Sequence, residues 1–191
     1  SISRQDLVND ELGVFVDAAR TLGVKAFTAR EKALFTAINA TGAGSTFFTS
    51  AHNNYFEGAA TNLQISSLST AVQKFRKQTG PDGDPITVEP RILLVPSEVE
   101  ETGKALMDRA AQAIMAALGS TSAERRTVNA NVFAGQFEVI QSPWLSTASL
   151  TGYSATAWYL LADPNVLPAF EIAYLNGVQT TVVEFFGLDT D

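Results

Sequence analysis

Apolar positions in the first forty residues recur at spacings of three and four, first as Val8, Leu12, Phe15, Ala19 and Leu22, then as Leu34, Phe35 and Ile38. That period predicts an amphipathic helix over Ser3 to Leu22, closed by Gly23. A second helix opens at Thr28, where Thr28 and Glu31 match a reciprocal capping box, and ends within Asn39 to Gly44. Leu68, Ala71, Val72 and Phe75 repeat the same spacing and predict a helix over Ser66 to Thr79, stopped by Gly80. Lys74, Arg76 and Lys77 stand in its last turns, where cations suit the helix dipole. Pro81-Asp82-Gly83-Asp84-Pro85 is turn chemistry. Ile92 to Val95 is a short apolar run clipped by Pro90 and Pro96, which cannot donate to a ladder, and so predicts a strand. Ser97 and Glu100 then match a capping box for a helix running to Gly119 through Val99, Gly103, Leu106, Ala110, Ala113, Ile114 and Ala117. On that reading Ser97→Ala costs about 1 kcal/mol.

Downstream, GSTSAERRTVNA reads as polar loop, and Phe137 to Ile140 and Ala155 to Leu161 read as strands, the first broken by Pro143-Trp144. Asp163-Pro164 and Pro168 bracket an irregular piece. Asn176-Gly177 between Phe170–Leu175 and Val178–Phe186 is the signature of a tight hairpin. Val182 with Val183, and Phe185 with Phe186, put one member of each pair outward or against another subunit. Helices and strands mixed in this order predict an α+β fold.

One stretch has no period. Thr41 to Gln64 mixes Gly, Asn, Ser and Thr with Phe47, Phe48, Tyr55 and Phe56, and reads as a long loop or an extended hairpin. A loop of this length is uncommon in a compact domain unless it binds something or reaches outward. Two readings of the rings stay open: contact with a partner, or folding back on the core.

Composition narrows the chemistry. With 191 residues, 46% of them hydrophobic, the chain can build one sizeable core, as one domain or two small ones. Thirteen basic against twenty acidic residues give a net charge of -7, which opposes nonspecific binding to a phosphate backbone. No run approaches the roughly 18 apolar residues of a membrane span, and Ser1 to Leu12 lacks the basic start and apolar middle of a signal peptide, so a cytoplasmic origin is expected. No cysteine is present and His52 is the single histidine, which excludes thiolate and His-His metal sites. Ser45, Ser50 and His52 suggest a hydrolase, but no G-x-S-x-G elbow surrounds any serine, and His52 beside Asn53 and Asn54 reads as a hydrogen-bonding loop residue. Gly42-Ala43-Gly44 lacks the lysine of a phosphate loop. Glu98, Glu100 and Glu101 are explained by a helix cap and a solvated face. Arg125-Arg126 reads as a surface or intersubunit pair. No catalytic constellation, metal or cofactor is expected.

Four stretches taken in order resemble the major capsid proteins of tailed phages, specifically the Mu-like major head subunit group. Arg4 to Leu12 is similar to that group's opening helix, and Phe47 through Ala51-His52-Asn53-Asn54 to its LF-x-x-x-H-x-N loop. Asp82-Gly83 through Val88-Glu89-Pro90-Arg91-Ile92-Leu93-Leu94-Val95-Pro96 is similar to its strand into a capped helix. Trp158-Tyr159-Leu160-Leu161-Ala162-Asp163-Pro164 and Tyr174-Leu175-Asn176-Gly177 resemble its WYL-x-ADP and YL-x-G pair.

The resemblance implies a Hong Kong 97 type capsid fold: residues 1–40 an N-terminal helical region, 41–64 an extended loop reaching over a neighbour, 65–97 with 169–191 a peripheral domain carrying a spine helix, and 98–168 an axial domain. It implies a structural head subunit of a phage or prophage, located in the virion and assembled in the host cytoplasm. Its partners would be copies of itself, with scaffold and portal proteins, and neither nucleic acid nor membrane. Phe47, Phe48, His52, Asn54, Tyr55, Phe56, Arg125 and Arg126 are the expected intersubunit contacts. The 41–64 stretch has no lysine, so loop cross-linking is not carried over. The sequence stops at Asp189-Thr190-Asp191, where the group continues into further peripheral strands, so a truncated C-terminus and an exposed sheet edge are expected. Two other classes stand beside this one: a small phage-associated hydrolase or head-maturation protease using Ser50 and His52, and a module binding one heterologous partner through the aromatic loop.

Overall fold

The computed structural model describes residues 14–40, 47–108, 133–174 and 177. These form a mixed α+β arrangement of three helices and one small sheet. In chain order the elements are α1 (Val14–Ala40), α2 (Ile65–Arg76), β1 (Pro90–Val95), α3 (Glu100–Met107), β2 (Glu138–Gln141) and β3 (Tyr159–Ala162). The chain divides into two compact units, one of Phe35–Glu171 and one of the residues up to Leu34 together with those from Ile172 onward.

In the larger unit β1 is the middle strand, parallel to β2 and antiparallel to β3. Leu93 pairs with Val139 on one side and Leu160 on the other, so three apolar side chains stand abreast on one face. With Val95 they meet Leu63, Leu68 and Val72 from α2 and its approach, Leu106 from α3, and Phe133 and Phe137. The opposite face carries Leu94 between Ile140 and Tyr159, and Leu94 is buried too. Burial on both faces is why β1 is a continuous apolar run rather than an alternating one. Pro90 opens β1 opposite Ala162, and the register slips between Pro90 and Ile92, leaving Arg91 as a bulge.

Both helices on this face are fitted by small or capped positions. Gln64 caps α2: its backbone N–H donates to the Ser67 hydroxyl, and its side chain receives the amide of that third helical residue. The helix therefore begins one residue before the predicted Ser66. It ends at Arg76, where the Lys77 N–H closes onto the Gln73 and Lys74 carbonyls, so Gly80 is not the stop. Gly80 instead anchors the Pro81–Pro85 turn, as the Gly80 N–H donates to the Asp84 carbonyl and Thr79 bridges to Pro85. Gly103 lets α3 press on the sheet. A β-carbon there would stand 3.2 Å from Val139 Cγ1.

Four local expectations are corrected. The break at Gly23 and the Thr28–Glu31 box do not form: α1 is continuous, and the Thr28 hydroxyl donates to the Val24 carbonyl one turn back. The Ser97–Glu100 box does not form either; Ser97 to Val99 is a single 3₁₀ turn, the Ser97 hydroxyl accepts from Gln141 Nε2 at 2.6 Å, and Glu100 pairs with Lys104. The following helix ends at Met107, because Asp108 is extended and the Met107 carbonyl accepts the Gly135 N–H. Residues 170–174 are not a strand, although Gly177 has φ +70° and its N–H donates to the Tyr174 carbonyl. The predicted N-terminal half-helix before Val14, Gly119, the 119–130 loop and the strand 178–186 lie outside the described residues.

The C-terminal end of α1 is held by a close backbone approach. Asn39, buried, donates through Nδ2 to the Trp144 carbonyl at 3.0 Å, and a β-carbon on Gly152 would lie 2.2 Å from the Asn39 carbonyl oxygen. Gly152 also has φ +79°. Gly152→Ala is expected to lower unfolding free energy in urea by about 2–4 kcal/mol, combining left-handed strain with overlap. Gly83→Ala, with φ +84° but open space around it, should cost only about 1–2 kcal/mol.

Candidate functional site

The loop from Phe47 is built by its own side chains. Asn54 works from both ends of its amide: Oδ1 accepts the Thr49 N–H at 2.9 Å and Nδ2 donates to the Phe47 carbonyl at 2.9 Å. The Thr49 hydroxyl accepts the His52 N–H, and the Asn53 N–H donates to the Ser50 carbonyl. Asn53 takes φ +53°, a left-handed conformation that Asn tolerates. It ties the loop to α2 and to Gln78 just beyond it: Lys74 Nζ donates to Asn53 Oδ1 at 3.1 Å and Gln78 Nε2 to the Asn53 carbonyl at 2.9 Å.

The rings then turn toward β3 and its approach. Phe48 packs on Tyr159 with centroids 5.4 Å apart, and Phe56 meets Trp158 edge-on at 5.8 Å. Trp158 Nε1 donates to the Thr61 carbonyl at 2.9 Å, which fixes the indole. Phe47 stands perpendicular to Phe48 at 4.8 Å, touches Phe170 at 5.6 Å, and is 40% exposed. Phe48, Tyr55 and Phe56 are half-buried. Between loop, α2 and sheet lies a hollow of about 970 Å³, whose lining includes Trp158, Tyr159, Phe47, Tyr55 and Leu167. Its lining is aromatic and aliphatic with scattered polar groups.

Tyr55 donates to Glu57 Oε2 at 2.7 Å, and this bond, with burial and the Glu57 charge, raises the Tyr55 phenol above its ordinary value. Burial alone raises Tyr159. Both rings are neutral at physiological pH.

Ser50 and His52 do not converge on a reaction centre. His52 Nδ1 lies 3.2 Å from the Phe47 carbonyl, so the ring braces the loop with that nitrogen protonated, and Ser50 is exposed and bonded through its backbone. Among the described residues no group of three His, Cys, Asp or Glu side chains could hold a metal ion. Of the eight residues singled out from the sequence, Phe47, Phe48, His52, Asn54, Tyr55 and Phe56 share this loop, while Arg125 and Arg126 lie outside the described residues. Trp158, Tyr159 and Asn53 were not singled out as contacts. Their only signal was the WY dipeptide and the Asn-Asn pair, and neither says which distant residues it meets.

Asn54→Ala is expected to release the Thr49 amide to hydrogen exchange and cost about 1–3 kcal/mol, with Asn54→Asp intermediate because it keeps the acceptor and loses the donor. Raised phenol values hold protons in the folded state that the unfolded chain releases, so stability is full below about pH 10 and falls as pH climbs through the folded values. Tyr159→Phe should flatten that alkaline loss in urea titrations followed between neutral and strongly alkaline pH.

Comparison with known proteins places this geometry in context. The family described as "Phage capsid protein" matches residues 1–191. No curated protein and no solved structure matches the chain.

Proposed function

We propose a shell-building function from the premise that this chain belongs to the phage capsid protein family, and so is a structural protein of a bacteriophage whose place is the virion. Membership implies self-association in the shell. Among the described residues no helix is long and apolar enough to cross a membrane.

The finer reading is ours. The chain is a major head subunit of the Mu-like group, in a Hong Kong 97 type fold, and assembles with its copies into capsomers and an icosahedral shell in the host cytoplasm, with scaffold and portal proteins as further partners. In that reading α2 is the spine helix of the peripheral domain, the Phe47 loop is the extended loop, and β2 with its surroundings belongs to the axial domain. The observation that carries it is the whole-length family match joined to a loop that spends its polar groups on holding aromatic rings in place rather than on a reactive centre. Such a loop suits repeated moderate contacts summed over a symmetric assembly.

Electron microscopy and light scattering of the purified protein across salt and protein concentration test this. Rings or closed shells are expected. A monodisperse monomer under every condition would overturn it.

A further inference from the structure

β3 is an outer strand of the sheet. In the order β2-β1-β3 it pairs with β1 on one side, and among the described residues nothing bonds to the backbone on its other side. Antiparallel pairing engages the N–H and C=O of alternate residues only, so those of the residues between are directed away from β1. Tyr159, Leu160, Leu161 and Ala162 all line the hollow beside the Phe47 loop. Successive side chains of a strand point to opposite faces, so a hollow that all four reach opens on the strand's edge. Free edges are ordinarily blunted by lysine, proline or a bulge. Tyr159-Leu160-Leu161-Ala162 has no charge and no proline, and the bulge of this ladder is on β1. β2, the other outer strand, carries the exposed Glu138.

The chemistry of the edge says what fits it. Backbone donors and acceptors set along a strand are satisfied in register by another extended backbone, and the apolar strand beside them favours one with few charges. The sequence offers such a segment. Of the stretches that read as strands, three form the sheet, residues 170–174 are not a strand, and Val178 to Phe186 remains. It is rich in valine, threonine and phenylalanine, has Glu184 as its only charge, and is long enough to run the whole of β3. Its Val182-Val183 and Phe185-Phe186 pairs put apolar groups on both faces of an extended chain. Within its own chain this segment belongs to the other compact unit, of which β3 is no part.

We propose that residues 178–186 of a second copy of this chain add to the free edge of β3 as a fourth strand, in the hollow beside the Phe47 loop. Main-chain bonds to β3 supply the affinity, and the aromatic lining of the hollow selects apolar side chains. The contact is heterologous, so each subunit gives a strand to one neighbour and takes one from another, and a rotation that closes gives a ring. This rests on the self-assembly reading above and names the surfaces it uses.

The test uses the full chain with p-benzoylphenylalanine in place of Phe185, as an equal mixture of light and nitrogen-15 chains irradiated under assembly conditions and mapped by mass spectrometry. Cross-links from residue 185 of one isotope to residues 47–58 or 153–162 of the other are expected. Cross-links to those residues only within one isotope, or none to them at all, overturn the strand exchange, while particle formation by the unmodified protein judges the shell reading separately. In parallel, Thr181→Pro removes a backbone donor from the middle of the added strand and should lose assembly with its circular dichroism unchanged, whereas Thr181→Val should keep it. Loss in both variants, or in neither, overturns the proposal.

Discussion

The central strand is the constraint on which the larger unit depends. Leu93, Val139 and Leu160 are held abreast by two ladders of opposite sense, and Leu63, Leu68, Val72, Leu106, Phe133 and Phe137 share one buried cluster with Leu93. A slip of one residue in either ladder would turn the row to the other face, where Leu94 already occupies the middle position. The bulge at Arg91 and the prolines at both ends fix where pairing begins and stops. Gly103 matters for the same reason, because α3 can approach the row only where no side chain intervenes.

What was legible in the sequence is what is decided locally. Pro90 and Pro96 bound a strand by removing donors, the 68–75 spacing marks a helix, and the Pro81–Pro85 turn follows from its residues; all three are present. Where a distant group competes, local chemistry misleads. The Ser97 hydroxyl has a good reason to cap a helix and is taken by Gln141 instead, 44 positions on. The Met107 carbonyl would continue a helix and is captured by Gly135. At Thr28 the competitor is itself local, the Val24 carbonyl one turn back in a helix that continues. The aromatic loop illustrates both sides: its length and ring content are visible in the chain, while the pairing of Phe48 with Tyr159 and Phe56 with Trp158 requires the sheet.

The rings answer to one of the two readings of that loop, folding back on the core, while contact with a partner belongs to the proposal. Phe48 and Phe56 fold back on the sheet and its approach, and Phe47, packed on Phe48 and Phe170, keeps 40% of its surface exposed. A partner-facing surface needs such a floor, since a ring that is not held loses rotamer freedom on contact and gives back part of what it gains. The Asn54 amide and the Asn53 backbone pre-organise the loop in this sense. In the assembly proposed above, a preformed surface keeps the ordering cost of each contact small.

The pairing of Pro90 with Ala162 has a consequence for synthesis. About seventy residues separate the partners, a non-local closure of the kind that slows folding. β1 is made well before β3, so its antiparallel ladder can close only after the chain has been extended through Ala162. The sheet is therefore completed by its last strand, and the row that Leu93 centres is whole only once Leu160 has arrived.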